Sequence, residues 1–212
     1  YNFKKTDGSW DYSCTGGSCS QKLEPLWRER KKDQPFFAVF NFGITHTPSG
    51  GLRGGKYSLF EAGTKVPFIS YWRGKINPGV SDELISQVDL FNSISRLIGS
   101  EYKSNDGIDL SSLLFRNKGK GREHLVVEAS TRTAFRKGDW VIIPPYDAPA
   151  VNKNVNIELG NSKNFQLYNL KDDPSQKKNL AKIEKEKLKE IYNEFLKIIG
   201  DDFYNIESLK LE

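Results

Sequence analysis

The stretch 50–67, GGLRGGKYSLFEAGTKVP, decides how the rest of the chain is read: a glycine-rich turn, a lysine at its end, then an apolar approach to an extended segment. Gly50, Gly51, Gly54, Gly55 and Gly63 permit positive φ and a close approach of backbone to a bound group. Lys56 adds a mobile cation at the rim. Backbone N–H groups and an ammonium together favour an anion such as a phosphate or sulfate ester. The plainer reading is a flexible surface loop carrying a solvated lysine.

Upstream, residues 36–42 (FFAVFNF) form a short continuous run of aromatic and β-branched type, expected of a strand buried on both faces. His46 follows the end of that run, where open α/β sheets collect their ligands. Downstream, residues 66–72 read as a second strand, with Pro67 tolerated near its start. Asp89 is expected to cap a helix whose Leu90, Phe91, Ile94, Leu97 and Ile98 bury one face and whose stop is Gly99. Residues 100–121 read as a polar loop.

From Arg122 the texture changes. Residues 125–129, 133–136, 140–143 and 165–170 are short strand candidates separated by turns, which suggests a small antiparallel sheet. Leu180, Ile183, Leu188, Ile191, Phe195 and Ile198 then place an apolar stripe on a helix able to lie across it. The expected organisation is an α/β portion over 1–115 and an antiparallel sheet with a packed terminal helix over 116–212.

With 212 residues the chain can bury a sizeable core, and 37% hydrophobic with 28% charged residues excludes wholesale disorder. No apolar run approaches the roughly 20 residues of a membrane helix. The net charge of +5 would suit nucleic acid or an anionic polysaccharide. However, many of the lysines alternate with glutamates along the C-terminal helix, as on a solvated face, and no nucleic-acid partner is expected. Methionine is missing even from position 1 and the start YNFKKTDGSW lacks a leader pattern, so the chain is expected to be an internal-to-C-terminal piece of something longer. Cys14 and Cys19, the only cysteines, sit in SCTGGSCS. This spacing allows a small disulfide loop, which would fit an oxidising compartment; free thiols are the alternative, and a metal site lacks further ligands nearby.

Residues 50–56 satisfy G-x-x-x-x-G-K, the outline of a nucleotide-binding P-loop. Tyr57 stands where that motif needs the Ser or Thr that holds Mg²⁺, and a strand rather than a helix is expected soon after. His46 with Lys56 makes a second constellation: a histidine can protonate a leaving oxygen near neutral pH, and a lysine can hold a developing anion. A histidine beside a strand is more often structural, so the pair alone does not settle a function. His124 begins a strand and reads as structural or exposed.

Residues 52–69, LRGGKYSLFEAGTKVPFI, resemble the sulfatase family of arylsulfatase type, in which an LRGGK turn leads into E-G-G-x-R-V-P. Further segments agree in order: WRGKI at 72–76 with VSD at 80–82, VDLF at 88–91, RKGDW at 136–140, and LYNLKDDP at 167–174 with NLA at 179–181. The resemblance implies an alkaline-phosphatase-like α/β sandwich followed by a small C-terminal antiparallel sheet with a packed helix. It implies sulfate-ester hydrolysis, on a sulfated small molecule or glycan, using a formylglycine nucleophile and Ca²⁺. Lys56 corresponds to the lysine that contacts the sulfate, and His46 to the histidine near the leaving oxygen; both would thus be catalytic and substrate-binding. An extracytoplasmic location, periplasmic or secreted, is expected.

The departures are specific. Neither Cys14 nor Cys19 fits the C/S-x-P/A-x-R pattern from which formylglycine is made, and no metal ligand of the family pattern is found in these residues. The family has a longer segment between the counterparts of His46 and Lys56, so the resemblance implies a gap between His46 and Ser49. On this reading these residues alone would be inactive, with the nucleophile and calcium ligands elsewhere. A non-catalytic module that binds sulfated glycans, or a related phosphoesterase, is the alternative.

Overall fold

Strand candidates that alternate inward and outward need covering on two sides, and the computed structural model shows both covers. It describes residues 51–66, 68–129 and 132–200. The expected strand over 36–42, His46, Cys14, Cys19 and Pro67 lie outside the described residues. In chain order the elements are α1 (Glu61–Thr64), α2 (Asp89–Leu97), α3 (Ser111–Arg116), β1 (His124–Ala129), β2 (Arg132–Lys137), β3 (Trp140–Ile143), β4 (Val151–Asn152), β5 (Ile157–Glu158), β6 (Gln166–Asn169) and α4 (Lys185–Ile199).

Strands β1, β2, β3 and β6 form an antiparallel sheet in that order, with Phe135 opposite Ile142 and Ile142 opposite Leu167. The period of two sends neighbours to opposite faces. Phe135, Ile142 and Leu167 pack with Ala181, Ile191 and Phe195, while Ala134, Val141, Ile143 and Tyr168 pack with Leu59 and Phe60. One face is thus covered by α4 and the other by the segment that follows Lys56. Burial of each large apolar side chain in these layers contributes about 1.5–3 kcal/mol.

Helix α4 buries Ile191 and Phe195, one turn apart on the same stripe, and Phe195 stacks 5.6 Å from Phe135. Tyr192 meets Phe165 edge-on at 4.9 Å. The helix begins at Lys185, later than the apolar spacing suggested. Leu180 precedes it, bonded through its N–H to the Leu167 carbonyl at 2.8 Å, and Ile183 stands exposed.

Four expectations are corrected. Residues 66 and 68–72 form no strand: Val66 and Ile69 are 69% and 70% exposed, and among the described residues no strand lies alongside to complete a hydrogen-bond ladder. Helix α2 exists and stops at Gly99 (φ +73), where Ser100 N–H reaches Ser95 O and Gly99 N–H reaches Arg96 O, a Schellman ending. Its buried face, however, is the polar one. Asp89, Asn92 and Ser93 point inward, while Phe91 is 54% and Ile98 72% exposed. The reason is hydrogen bonding to the segment that follows. Asn92 receives Ser104 N–H at 2.6 Å and donates to the carbonyls of Ser104 and Gly107. Ser93 Oγ receives Leu110 N–H at 2.9 Å. Asp89 is the first helical residue rather than the cap, and its carboxylate accepts from Ser86 N–H at 2.8 Å, Ile108 N–H at 3.0 Å and the Arg122 guanidinium. Helix α3 breaks the expected loop 100–121 and joins Leu110, Leu113 and Leu114 in a separate small cluster.

Candidate active site

The turn that presents Lys56 is a four-residue reversal closed by Ser58 N–H to Gly55 O at 2.9 Å. Lys56 and Tyr57 are its central residues. Tyr57 has φ +74, the value a type II turn requires at its third position and one that glycine usually supplies. A non-glycine residue there costs about 1–2 kcal/mol, so surrounding contacts must hold it. Arg132 does so, donating from Nη2 to Tyr57 O at 2.8 Å.

The rest of the turn is fastened to the C-terminal sheet region by residues distant in sequence. Arg53 donates from Nε and Nη2 to the two oxygens of Glu158 at 2.8 and 2.9 Å, and from Nη1 to Gln176 O at 2.9 Å and the Tyr168 hydroxyl at 3.3 Å. Its guanidinium carbon lies 4.1 Å from the Phe60 ring centre. Leu59 N–H reaches Leu159 O at 3.1 Å, and Glu61 N–H reaches Gln176 Oε1 at 2.7 Å. The Arg53 hydrogen bonds hold the Glu158 carboxyl below the usual carboxylate range and raise the guanidinium's own pKa.

Two of the glycines are set by this packing. A Cβ at Gly54 (φ +88) would stand 2.4 Å from Ser58 Oγ, and one at Gly63 would stand 2.3 Å from Ser58 O. The chain folding onto itself therefore accounts for these glycines without any bound group.

Of the two cations in LRGGK, Arg53 is consumed by structure and Lys56 is not. Lys56 is exposed, with its ammonium 5.1 Å from the Tyr57 ring centre and no hydrogen bond or ion pair among the described residues. Among the described residues, the turn therefore offers the Lys56 ammonium without an ion pair on a backbone held by hydrogen bonds to distant residues, an arrangement suited to holding an oxyanion. His46 lies outside the described residues, so its distance from Lys56 is not among the described geometry. His124 is half-buried, its ring 5.8 Å from Phe135. Among the described residues no group of three His, Cys, Asp or Glu side chains is placed to hold a metal ion. Arg53, Arg132 and Gln176 were not singled out by the sequence.

The Sulfatase family model matches residues 46–100. The N-acetylgalactosamine-6-O-sulfatase of Bacteroides thetaiotaomicron is 41% identical over 150 residues, covering 69% of this chain and 29% of that protein. Arylsulfatase A of Bos taurus is 42% identical over 78 residues, 36% of this chain and 15% of that one. A solved structure titled for the metabolism of multiple glycosaminoglycans by B. thetaiotaomicron superposes with TM-score 0.67 at 38% identity, covering 72% of this chain and 33% of its own. A sulfatase from Pseudoalteromonas sp., at TM-score 0.53 and 23% identity, covers 70% and 32% and supports the fold alone. The chain spans a third or less of the length of each. With the LRGGK turn, the sheet and the terminal helix all in place, the chain belongs to the sulfatase family and has part of its alkaline-phosphatase-like α/β fold.

Proposed function

We propose that the protein is a sulfuric ester hydrolase acting on a sulfated carbohydrate. The observation that carries this reading is Lys56, an exposed ammonium with no ion pair among the described residues, on a turn clamped by Arg53 and Arg132 within the stretch that matches the family. Lys56 holds a sulfate oxygen and neutralises charge that builds as the sulfur–oxygen bond is attacked. His46, at the start of the matched stretch, protonates the departing alcohol oxygen. The sulfated-sugar substrate is supported by the 41% identical relative named for N-acetylgalactosamine 6-O-sulfate.

Family membership implies a formylglycine that supplies the attacking oxygen and a Ca²⁺ that polarises the sulfate. The described residues do not fit that ion, because they bring no carboxylate cluster together, and no step is derived through it. The catalytic portion is assigned to 1–115 and the supporting sheet and helix to 116–212, with an extracytoplasmic location. No helix among the described residues is long and apolar enough to cross a membrane.

A second reading, in which the basic, glycine-rich surface at Lys56 binds sulfated glycans without turnover, rests on the same exposed ammonium. Release of inorganic sulfate from N-acetylgalactosamine 6-sulfate by the full-length protein separates the two. The hydrolase reading expects sulfate release; saturable binding with no released sulfate would replace it with the module.

A further inference from the structure

Gln176 is fully buried yet carries two local costs: its φ of +52 lies in the left-handed region, and its Nε2 has no hydrogen-bond partner among the described residues. A left-handed backbone is unfavourable for a residue with a long side chain, and a buried N–H that gives up water without a new acceptor is destabilising. An apolar side chain of the same length would avoid the second cost, so stability alone does not account for glutamine here.

What the residue gains is two bonds to one segment. Its backbone carbonyl accepts from Arg53 Nη1 at 2.9 Å, and its side-chain Oε1 accepts from Glu61 N–H at 2.7 Å, where the preceding Phe60 has no acceptor to offer. Arg53 and Glu61 flank Lys56 in the sequence, and Ala62 N–H reaches Arg53 O at 3.0 Å, so the two flanks also meet each other. The loop around Gln176 is itself fixed. Gln176 N–H reaches Asp173 O at 3.0 Å, Lys178 N–H reaches Asp173 Oδ2 at 2.7 Å, and Ser175 Oγ donates to Gly51 O at 3.0 Å.

We propose that Gln176 is a positioning residue for the sulfate-binding lysine: it grips both flanks of the Lys56 turn at once and sets where the ammonium stands. This inference rests on the hydrolase reading above and adds to it a residue that acts through Lys56 without touching the sulfate. The carbonyl fixes Arg53 and the amide oxygen fixes the start of α1, so the span between them has both ends set by one buried residue. The lysine stem stays mobile while its anchor does not, and misplacing a charge by about 1 Å is enough to weaken transition-state stabilisation.

The test is a double-mutant cycle in the full-length protein, combining Lys56→Ala with Gln176→Met, which keeps the side-chain length and loses the acceptor. Gln176→Asn, suited to positive φ but too short to reach Glu61 N–H, repeats the cycle independently of how well Gln176→Met folds. Gln176→Glu, which keeps an oxygen for Glu61 N–H, is the conservative control. The readouts are kcat/KM for sulfate release from N-acetylgalactosamine 6-sulfate and calorimetric affinity for inorganic sulfate, with melting temperatures alongside. The expected result is a loss of about threefold to tenfold from Gln176→Met when Lys56 is present, less than about twofold in the Lys56→Ala background, and recovery to within about twofold of wild type in Gln176→Glu. An equal loss in both backgrounds would make Gln176 a structural residue only, and no loss with Lys56 present would remove it from the site; either overturns the proposal. If the wild type releases no sulfate, the hydrolase reading falls and the affinity cycle still decides the positioning role. A wild type that neither binds nor releases sulfate overturns both.

Discussion

Arg53 and Glu158, 105 residues apart, meet in a two-point hydrogen bond at 2.8 and 2.9 Å that fastens the Lys56 turn to β5. Both side chains are partly exposed, so the pair's ionic term is modest; the larger effect of removing Arg53 is to leave Gln176 O and Glu158 without their donor. Arg53→Met is expected to cost about 1–3 kcal/mol of stability, measured by urea unfolding. A change below the error of the unfolding curve would mean that the turn is held by its other contacts alone.

Protonation tests the same pair. The Glu158 carboxyl is held below its ordinary value by Arg53, so its contribution is complete above about pH 4.5, the unfolded value, and is lost as pH falls through the lower folded value. Glu158→Gln is expected to flatten the acid limb of a thermal-stability profile below that pH, relative to wild type. Parallel acid limbs in the two proteins would remove Glu158 from the account.

Asp89 is the more deeply buried hub. Burial raises its pKa, but hydrogen bonds from Arg122, Ile108 and Ser86 outweigh that and lower it overall. Asp89→Asn leaves Arg122 facing a neutral group and is expected to cost about 3–5 kcal/mol. Hydrogen exchange should show the loss across 104–110, which the polar face of α2 secures. Unchanged protection there would contradict the inverted-face description of α2.

Tyr57 occupies a left-handed position next to the proposed sulfate-binding lysine. Tyr57→Val, a β-branched residue at φ +74, is expected to unfold about 1–2 kcal/mol more easily than Tyr57→Gly. Equal stabilities for the two would show that the turn relaxes out of the observed conformation.

The sheet was legible because its signals are local. Short runs of strand type separated by turns such as 137–139 pointed to four of the six strands among the described residues and to the helix over one face, while the cover by Leu59 and Phe60 on the other face was not foreseen. Residues 66 and 68–72 misled because their composition suits a strand while, among the described residues, no partner strand adjoins them. For α2, helical spacing identified a helix without saying which side would find partners, and Asn92 and Ser93 found them in 104–110. The β4–β5 hairpin was missed because each strand is two residues long. In the site, Lys56 was legible from its motif. Arg53 and Arg132 were not, since their partners lie 105 and 75 residues away and pairing at that range leaves no periodic trace.

The central claim is that Lys56 contacts the sulfate. Its side chain is exposed and makes no ion pair among the described residues, so truncation should leave folding intact while removing the charge that the reaction uses. The direct measurement is kcat/KM for sulfate release from N-acetylgalactosamine 6-sulfate by the full-length protein, in wild type and Lys56→Ala, with melting temperatures recorded alongside. A loss of about 10²–10³ with melting temperatures within a degree or so is the expected result. Activity within about twofold of wild type would contradict it.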